Sequence, residues 1–148
     1  MPDSYLLSQI LPIFFLVVFS AFFSSSETAL TSISETLLQK KIFEGDPKAI
    51  KTQKLLKKKE LTISAILLGN NLVNILSSAL ATNLLIKLFG PIGILYSTLL
   101  MTSLIFIFAE VLPKIYAIRK PETLLLFYTP LLIVKWLLLD DRYYLTTN

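Results

Sequence analysis

Three stretches of this chain are mostly apolar and about 20 residues or longer, enough for a helix to cross roughly 30 Å of hydrocarbon. They run from about Leu7 to Leu30, from Leu61 to Ile86 and from Ile92 to Leu112. With 54% hydrophobic and 16% charged residues, the chain carries less charge than a soluble domain of 148 residues would. The expected fold class is an all-α membrane protein. Residues 1–148 read as one transmembrane domain of three helices with broken or kinked segments, a cytoplasmic helical hairpin over 35–60 and a juxtamembrane amphipathic helix over 122–139.

Charge sets the expected topology. The second and third stretches are joined by "KLFGPIG" (87–93), with Gly90-Pro91 as a turn. Eleven of the 14 basic residues fall in two segments, Lys40 to Lys59 and Lys114 to Lys120, which lie on one side of the membrane by the count of crossings. The excess of Lys and Arg on that side predicts a cytoplasmic location, with the N-terminus outside. This placement in a plasma (inner) membrane accounts for the net charge of +4 without any nucleic acid partner. Within 35–60, "EGDPKA" predicts a helix break, with Asp46 as N-cap and Pro47 at the first helical position. Segment 122–139 contains Pro130, Lys135 and Trp136, which favour an interfacial helix over a fourth crossing. The first 39 residues hold no Lys or Arg and so no basic leader region, and the tail "DDRYYLTTN" reads as the start of something longer.

The chain has no Cys and no His. That removes thiolate and imidazole metal sites and all catalysis needing either group; with no visible base for the serines and no phosphate-binding glycine loop, the protein is not expected to be an enzyme. Oxygen ligands remain, and they suit hard cations. They are arranged in stripes. Ser20, Ser24, Glu27, Thr28 and Thr31 recur at spacings of three and four on the first stretch. Asn70, Asn74 and Ser77 do so on the second, and Ser103 and Glu110 share a face of the third. A carboxylate inside a membrane costs at least about 2.5–3.5 kcal/mol near the centre and less toward the surface, so Glu27 and Glu110 need a reason. Pro113 lacks the N–H that would bond a carbonyl near 109–110, leaving oxygen beside the Glu110 carboxylate. Gly69 lets backbone oxygen approach closely before Asn70.

Bland explanations compete with these. Ser, Thr and Asn join membrane helices by hydrogen bonds. Glu110 has Lys114 one turn on, a favourable spacing for an ion pair. Glu27 lies close enough to the surface to snorkel or to brace a loop.

"FFSSSETAL", "LLGNNLVNI" and "FAEVLPKIYAIRKPE" resemble, in that order, three motifs of the transmembrane domain of the CorC/cyclin M family of magnesium transporters. The resemblance covers nearly the whole chain. It implies a dimeric three-helix domain with a juxtamembrane helix, leading to cytosolic CBS domains that these 148 residues do not contain. It implies Mg²⁺ export coupled to Na⁺ entry. Carried over by position, it implies an ion site of Ser24 and Ser26, the Gly69 carbonyl, Asn70 and Glu110, with Glu27, Asn74, Pro113 and Lys114 as structural or gating residues. On that reading the first helix is opened at its serines, so that hydroxyls and freed carbonyls replace the ion's water. Where the family often has Gly, this chain has Ser25 and Ala109.

Two other functions stay open. A non-transporting membrane anchor or sensor for cytosolic regulatory domains would pair off its polar stripes completely. An exporter of small organic cations using Glu110 would surround that carboxylate with aromatic rings such as Phe106 and Phe108. Small residues at Ser77, Ser78, Ala79 and Ala81 offer a close-packing face for a homodimer.

Overall fold

The structure is a computed structural model, and it describes residues 3–129. Every regular element among these residues is helical. Helix α1 spans Asp3–Ser32, α2 Glu35–Phe43, α3 Pro47–Lys57 and α4 Lys59–Phe89. A single 3-10 turn, Gly90–Ile92, leads into α5, Gly93–Leu104. The helix continues through a π-helical segment, Ile105–Val111, into α6, Leu112–Arg119. Residues 121–129 form a further helical stretch, α7. Two helical stretches are long and apolar enough to cross a membrane: Ser4–Ser32, and Lys59–Arg119 with its turn in the middle.

The helices are inverted relative to those of a water-soluble protein. On α1, Phe14 is 60% exposed and Phe15 52%, while Ser20, Ser24 and Ser26 are fully buried. Leu7, Leu11, Val18 and Phe19 continue the exposed apolar face. In water that arrangement would expose apolar area at about 25 cal/mol per Å² and dehydrate hydroxyls as well. In a bilayer both choices become favourable, because hydrocarbon welcomes the rings and offers hydroxyls no partner.

Helix α1 packs along α4, α6 and the π-helical segment, and α4 packs on α5. Cross-helix hydrogen bonds set the register. Lys87 Nζ donates to Tyr5 Oη at 3.2 Å and Ser20 Oγ to Asn70 Oδ1 at 2.8 Å, so α1 and α4 are antiparallel. Thr82 and Ser97 hydroxyls meet at 2.7 Å, so α5 folds back along α4. That reversal needs both glycines of the turn. Gly90 has φ +71°, where a side chain is strained. A Cβ on Gly93 would collide with the Leu85 carbonyl of α4.

The α2–α3 break follows the chemistry of "EGDPKA". Gly45 (φ +80°) ends α2, its N–H reaching the Ile42 carbonyl at 3.0 Å. Asp46 caps α3 by accepting from the Lys48 N–H at 2.8 Å, with Pro47 at the first position. Leu38 of α2 and Ala49 of α3 pack with Leu126 of α7, and Thr52 and Thr129 hydroxyls meet at 2.7 Å. Helix α7 also reaches α1. Leu125 is fully buried with Phe23 and Leu30, and the Tyr128 ring stands edge-on to Phe22 with centroids 4.7 Å apart. The expected interfacial helix over 122–139 is thus described only to residue 129. Pro130, Lys135 and Trp136 lie outside the described residues.

The expectation of a first helix opened at its serines is not met. Helix α1 runs unbroken through Ser24–Ser26. Its hydroxyls bond to the helix they sit on: Ser25 and Ser26 both donate to the Phe22 carbonyl, at 3.0 and 2.7 Å, and Thr28 donates to the Ser24 carbonyl at 3.1 Å. Side chains that satisfy themselves on the preceding turn leave the backbone ladder intact. The irregularity falls in the third stretch instead. There the Leu112 N–H bonds the Ile107 carbonyl five residues back, one residue before Pro113.

Candidate functional site

The polar residues meet at the middle of the α1–α4 contact. The Ser20–Asn70 hydrogen bond is buried and ties the two helices. One turn further along α1, Ser24 is fully buried, and its hydroxyl has no hydrogen-bond partner among the described residues. One turn further along α4, the buried Asn74 Oδ1 is likewise unpaired among them. Because α1 and α4 are antiparallel, these two oxygens flank the Ser20–Asn70 bond on opposite sides. Ser24 lies on the Gly69 side, and Gly69 is buried. Leaving a buried polar atom unpaired costs roughly 1–3 kcal/mol, so two in one junction of an otherwise bonded structure call for an explanation.

Glu110 sits in the π-helical segment that packs against α1. It is half-buried and makes no hydrogen bond or ion pair with a described residue. The pairing with Lys114 does not form. Lys114 Nζ approaches Glu27 Oε2 instead, at 3.9 Å, with both side chains partly exposed. An exposed pair at that distance contributes at most about 1 kcal/mol. Its positional information is greater. Lys114 and Glu27 share a depth, and Glu110 lies one turn of about 5.4 Å before Lys114. Counting the same rise back along α1 places Glu110 between the levels of Ser24 and Ser20. The Thr82–Ser97 bond, extended down α4 and α5, brings residues 109–110 to the level of Asn70.

The π register also leaves backbone oxygen there. Pro113 has no N–H to give, so the carbonyl it would have bonded, that of Phe108 or Ala109, receives nothing from it. Ala109 is fully buried and packs with Val17, Ala81 and Met101. A π segment in a long apolar helix, holding a carboxylate that has no partner among the described residues, is the kind of local irregularity that recurs at functional sites.

Each expected site residue has a place. Ser24, Gly69 and Asn70 are buried where α1 meets α4, at about the depth of Glu110. Ser26 is buried, with its hydroxyl proton directed to Phe22. Ser20 belonged to the stripe but not to the implied site, and the structure gives it a buried side-chain bond from α1 to α4. The Ser25 hydroxyl lies 3.3 Å from Tyr128 Oη, a contact no spacing rule announces.

Such a fold, with apolar side chains outside and serine, threonine and asparagine side chains buried inside, is that of a helical membrane domain. By sequence the chain belongs to the family of the cyclin M transmembrane N-terminal domain, whose family model matches residues 11–140. It is 43% identical over 103 residues to the UPF0053 inner membrane protein YfjD of Escherichia coli, covering 70% of this chain and 24% of that one. It is 39% identical over 116 residues to a UPF0053 protein of Haemophilus influenzae, covering 78% and 28%. A putative DUF21 domain-containing protein of Arabidopsis thaliana, described as chloroplastic, is 31% identical over 107 residues, covering 72% and 16%. The chain thus spans about a quarter of the length of the bacterial relatives it matches.

Proposed function

We propose that this domain carries Mg²⁺ across the inner membrane as an exporter coupled to Na⁺ entry, through a site formed by Glu110, Asn70, Ser24 and backbone oxygen of Gly69 and the π turn. The observation that supports it most is the fully buried Ser24 hydroxyl, without a partner among the described residues, at the depth of the π turn that holds Glu110. Mg²⁺ takes six oxygens at about 2.0–2.1 Å and parts with water reluctantly. One carboxylate among neutral oxygens compensates only half of its charge, which suits an ion that must be released again. Ser26 contributes less on this reading, since its hydroxyl is committed to its own helix.

The other two readings fare less well. An anchor has no use for unpaired buried oxygens, and Ser24 and Asn74 carry them. An organic-cation site needs rings around the carboxylate, whereas Phe106 and Phe108 are each 58% exposed on the apolar exterior. Flux into and out of proteoliposomes, with and without a Na⁺ gradient, tests the proposal. Mg²⁺ movement that ignores the gradient removes the coupling, and no Mg²⁺ movement removes the function.

The same reading has three crossings, α1, α4 and α5 through α6, with both basic segments in the cytoplasm. The chain has no native cysteine to interfere with labelling. A cysteine replacing the exposed Lys54 should react only from the cytoplasmic side, and one replacing the exposed Leu88 only from outside. Reaction of both from one side would mean that α4 does not cross. A homodimer completes the proposal, read by mass in lipid nanodiscs. Ser77 and Ala81 are buried inside the protomer, so a close-packing face on α4 has to use its exposed side, where Ala79 lies.

A further inference from the structure

A second polar feature lies away from the helix junction, at the corner where α3 meets α4. Lys58 leaves helical geometry (φ −116°, ψ 40°), and the chain turns there between Lys57 and Lys59. The corner encloses an open pocket of about 580 Å³, lined by Lys57, Lys58 and Lys59 together with Glu60, Leu61 and Ser64. All three lysines are exposed. Ser64 donates its hydroxyl to the Glu60 carbonyl at 2.8 Å, so the lysines are the side chains that give the pocket its sign. Among the lining residues the lysines outnumber the carboxylates, of which Glu60 is one. The pocket also opens at the N-terminal end of α4, where the helix dipole favours an anion.

The surroundings say which anion. Residues 61–86 contain no ionisable side chain, so if α4 crosses the bilayer, the corner must sit at the membrane surface. Leu61 at the pocket wall is 57% exposed, and Leu68 further along α4 is 72% exposed. A ligand with one negative charge and a hydrocarbon body satisfies both parts. We infer that this corner binds the phosphodiester headgroup of an anionic phospholipid, with its acyl chains along the exposed leucines of α4. Free phosphate would use the lysines and leave the leucines idle. Basic clusters at the cytoplasmic ends of membrane helices hold acidic lipids by the same combination. The inference needs α4 to cross but not the ion site, so the cysteine labels above report on its premise separately.

Fluorescent phosphatidylglycerol titrated into the protein in a neutral detergent tests this, with phosphatidylcholine as the uncharged comparison. Each basic residue near an anionic surface is worth about a fivefold change in affinity, so replacing Lys57, Lys58 and Lys59 together by Gln should weaken binding roughly a hundredfold. Replacing Lys40, Lys48 and Lys51 by Gln removes the same charge from exposed sites outside the pocket and should change affinity by less than about threefold. Phosphatidylcholine should not compete. Equal losses in the two triple variants would reduce the effect to diffuse charge and overturn the site. Competition by inorganic phosphate at concentrations matching the lipid would overturn the lipid assignment.

Discussion

Glu110→Gln should abolish Mg²⁺ binding and leave the helices assembled. The substitution keeps the shape and one oxygen but removes the only carboxylate that the described residues place at the depth of Ser24 and Asn70. With it goes the one formal charge that offsets half of a divalent ion's, and affinity should fall more than about a hundredfold, equivalent to roughly 3 kcal/mol. The fold has little reason to change. Glu110 bonds to no described residue, Lys114 has Glu27 as its neighbour, and an amide is easier to keep in lipid than a carboxylate. Lys114→Met is the companion variant. It removes the 3.9 Å contact with Glu27 and should leave Mg²⁺ affinity within a few-fold of the original. Isothermal titration of both variants, with circular dichroism as the check on helicity, reads the outcome. Near-original affinity in Glu110→Gln would sink the site.

Much of this architecture is legible in the residues because the signals are local. Gly45, Asp46 and Pro47 end one helix and start the next by backbone rules that need no tertiary partner, and the structure uses all three as expected. Gly90-Pro91 marks the reversal between α4 and α5 for the same reason. Pro113 announces a disturbed turn. It does not say that the disturbance will be a π segment reaching back to Ile105, where Ala109 packs with Val17 of α1 and Ala81 of α4, residues far off in sequence.

The serine run misleads for a related reason. Four hydroxyl or carboxyl residues in succession look incompatible with a continuous apolar helix. Yet Ser25, Ser26 and Thr28 each satisfy themselves on a carbonyl three or four residues back. Only contacts between helices separate Ser20, which finds Asn70, from Ser24, which finds nothing described. Spacing places both on one face and cannot tell them apart. The Ser25–Tyr128 and Thr52–Thr129 contacts were hidden for the same reason, since they join residues 103 and 77 positions apart.

Ser24→Ala should then do what few buried substitutions do: weaken function without weakening the fold. The Ser24 hydroxyl is buried and unpaired among the described residues, so its removal deletes a desolvation penalty and breaks no described bond. Thermal stability in detergent should be unchanged or raised by up to about 1 kcal/mol. If the hydroxyl is a ligand, Mg²⁺ affinity should drop about tenfold, the value of roughly 1.4 kcal/mol for one oxygen lost from the coordination shell. Ser26→Ala is the contrast. Its hydroxyl donates to the Phe22 carbonyl, which Ser25 also serves, so the backbone keeps a partner and Mg²⁺ affinity should move less than about threefold. A stability held by hydroxyl packing would fall in both variants, and an ion site using Ser24 weakens binding in only one. If Ser24→Ala binds Mg²⁺ as tightly as the unsubstituted protein, the unpaired hydroxyl is not a ligand, and the site shifts toward Asn70 and the carbonyls of the π turn.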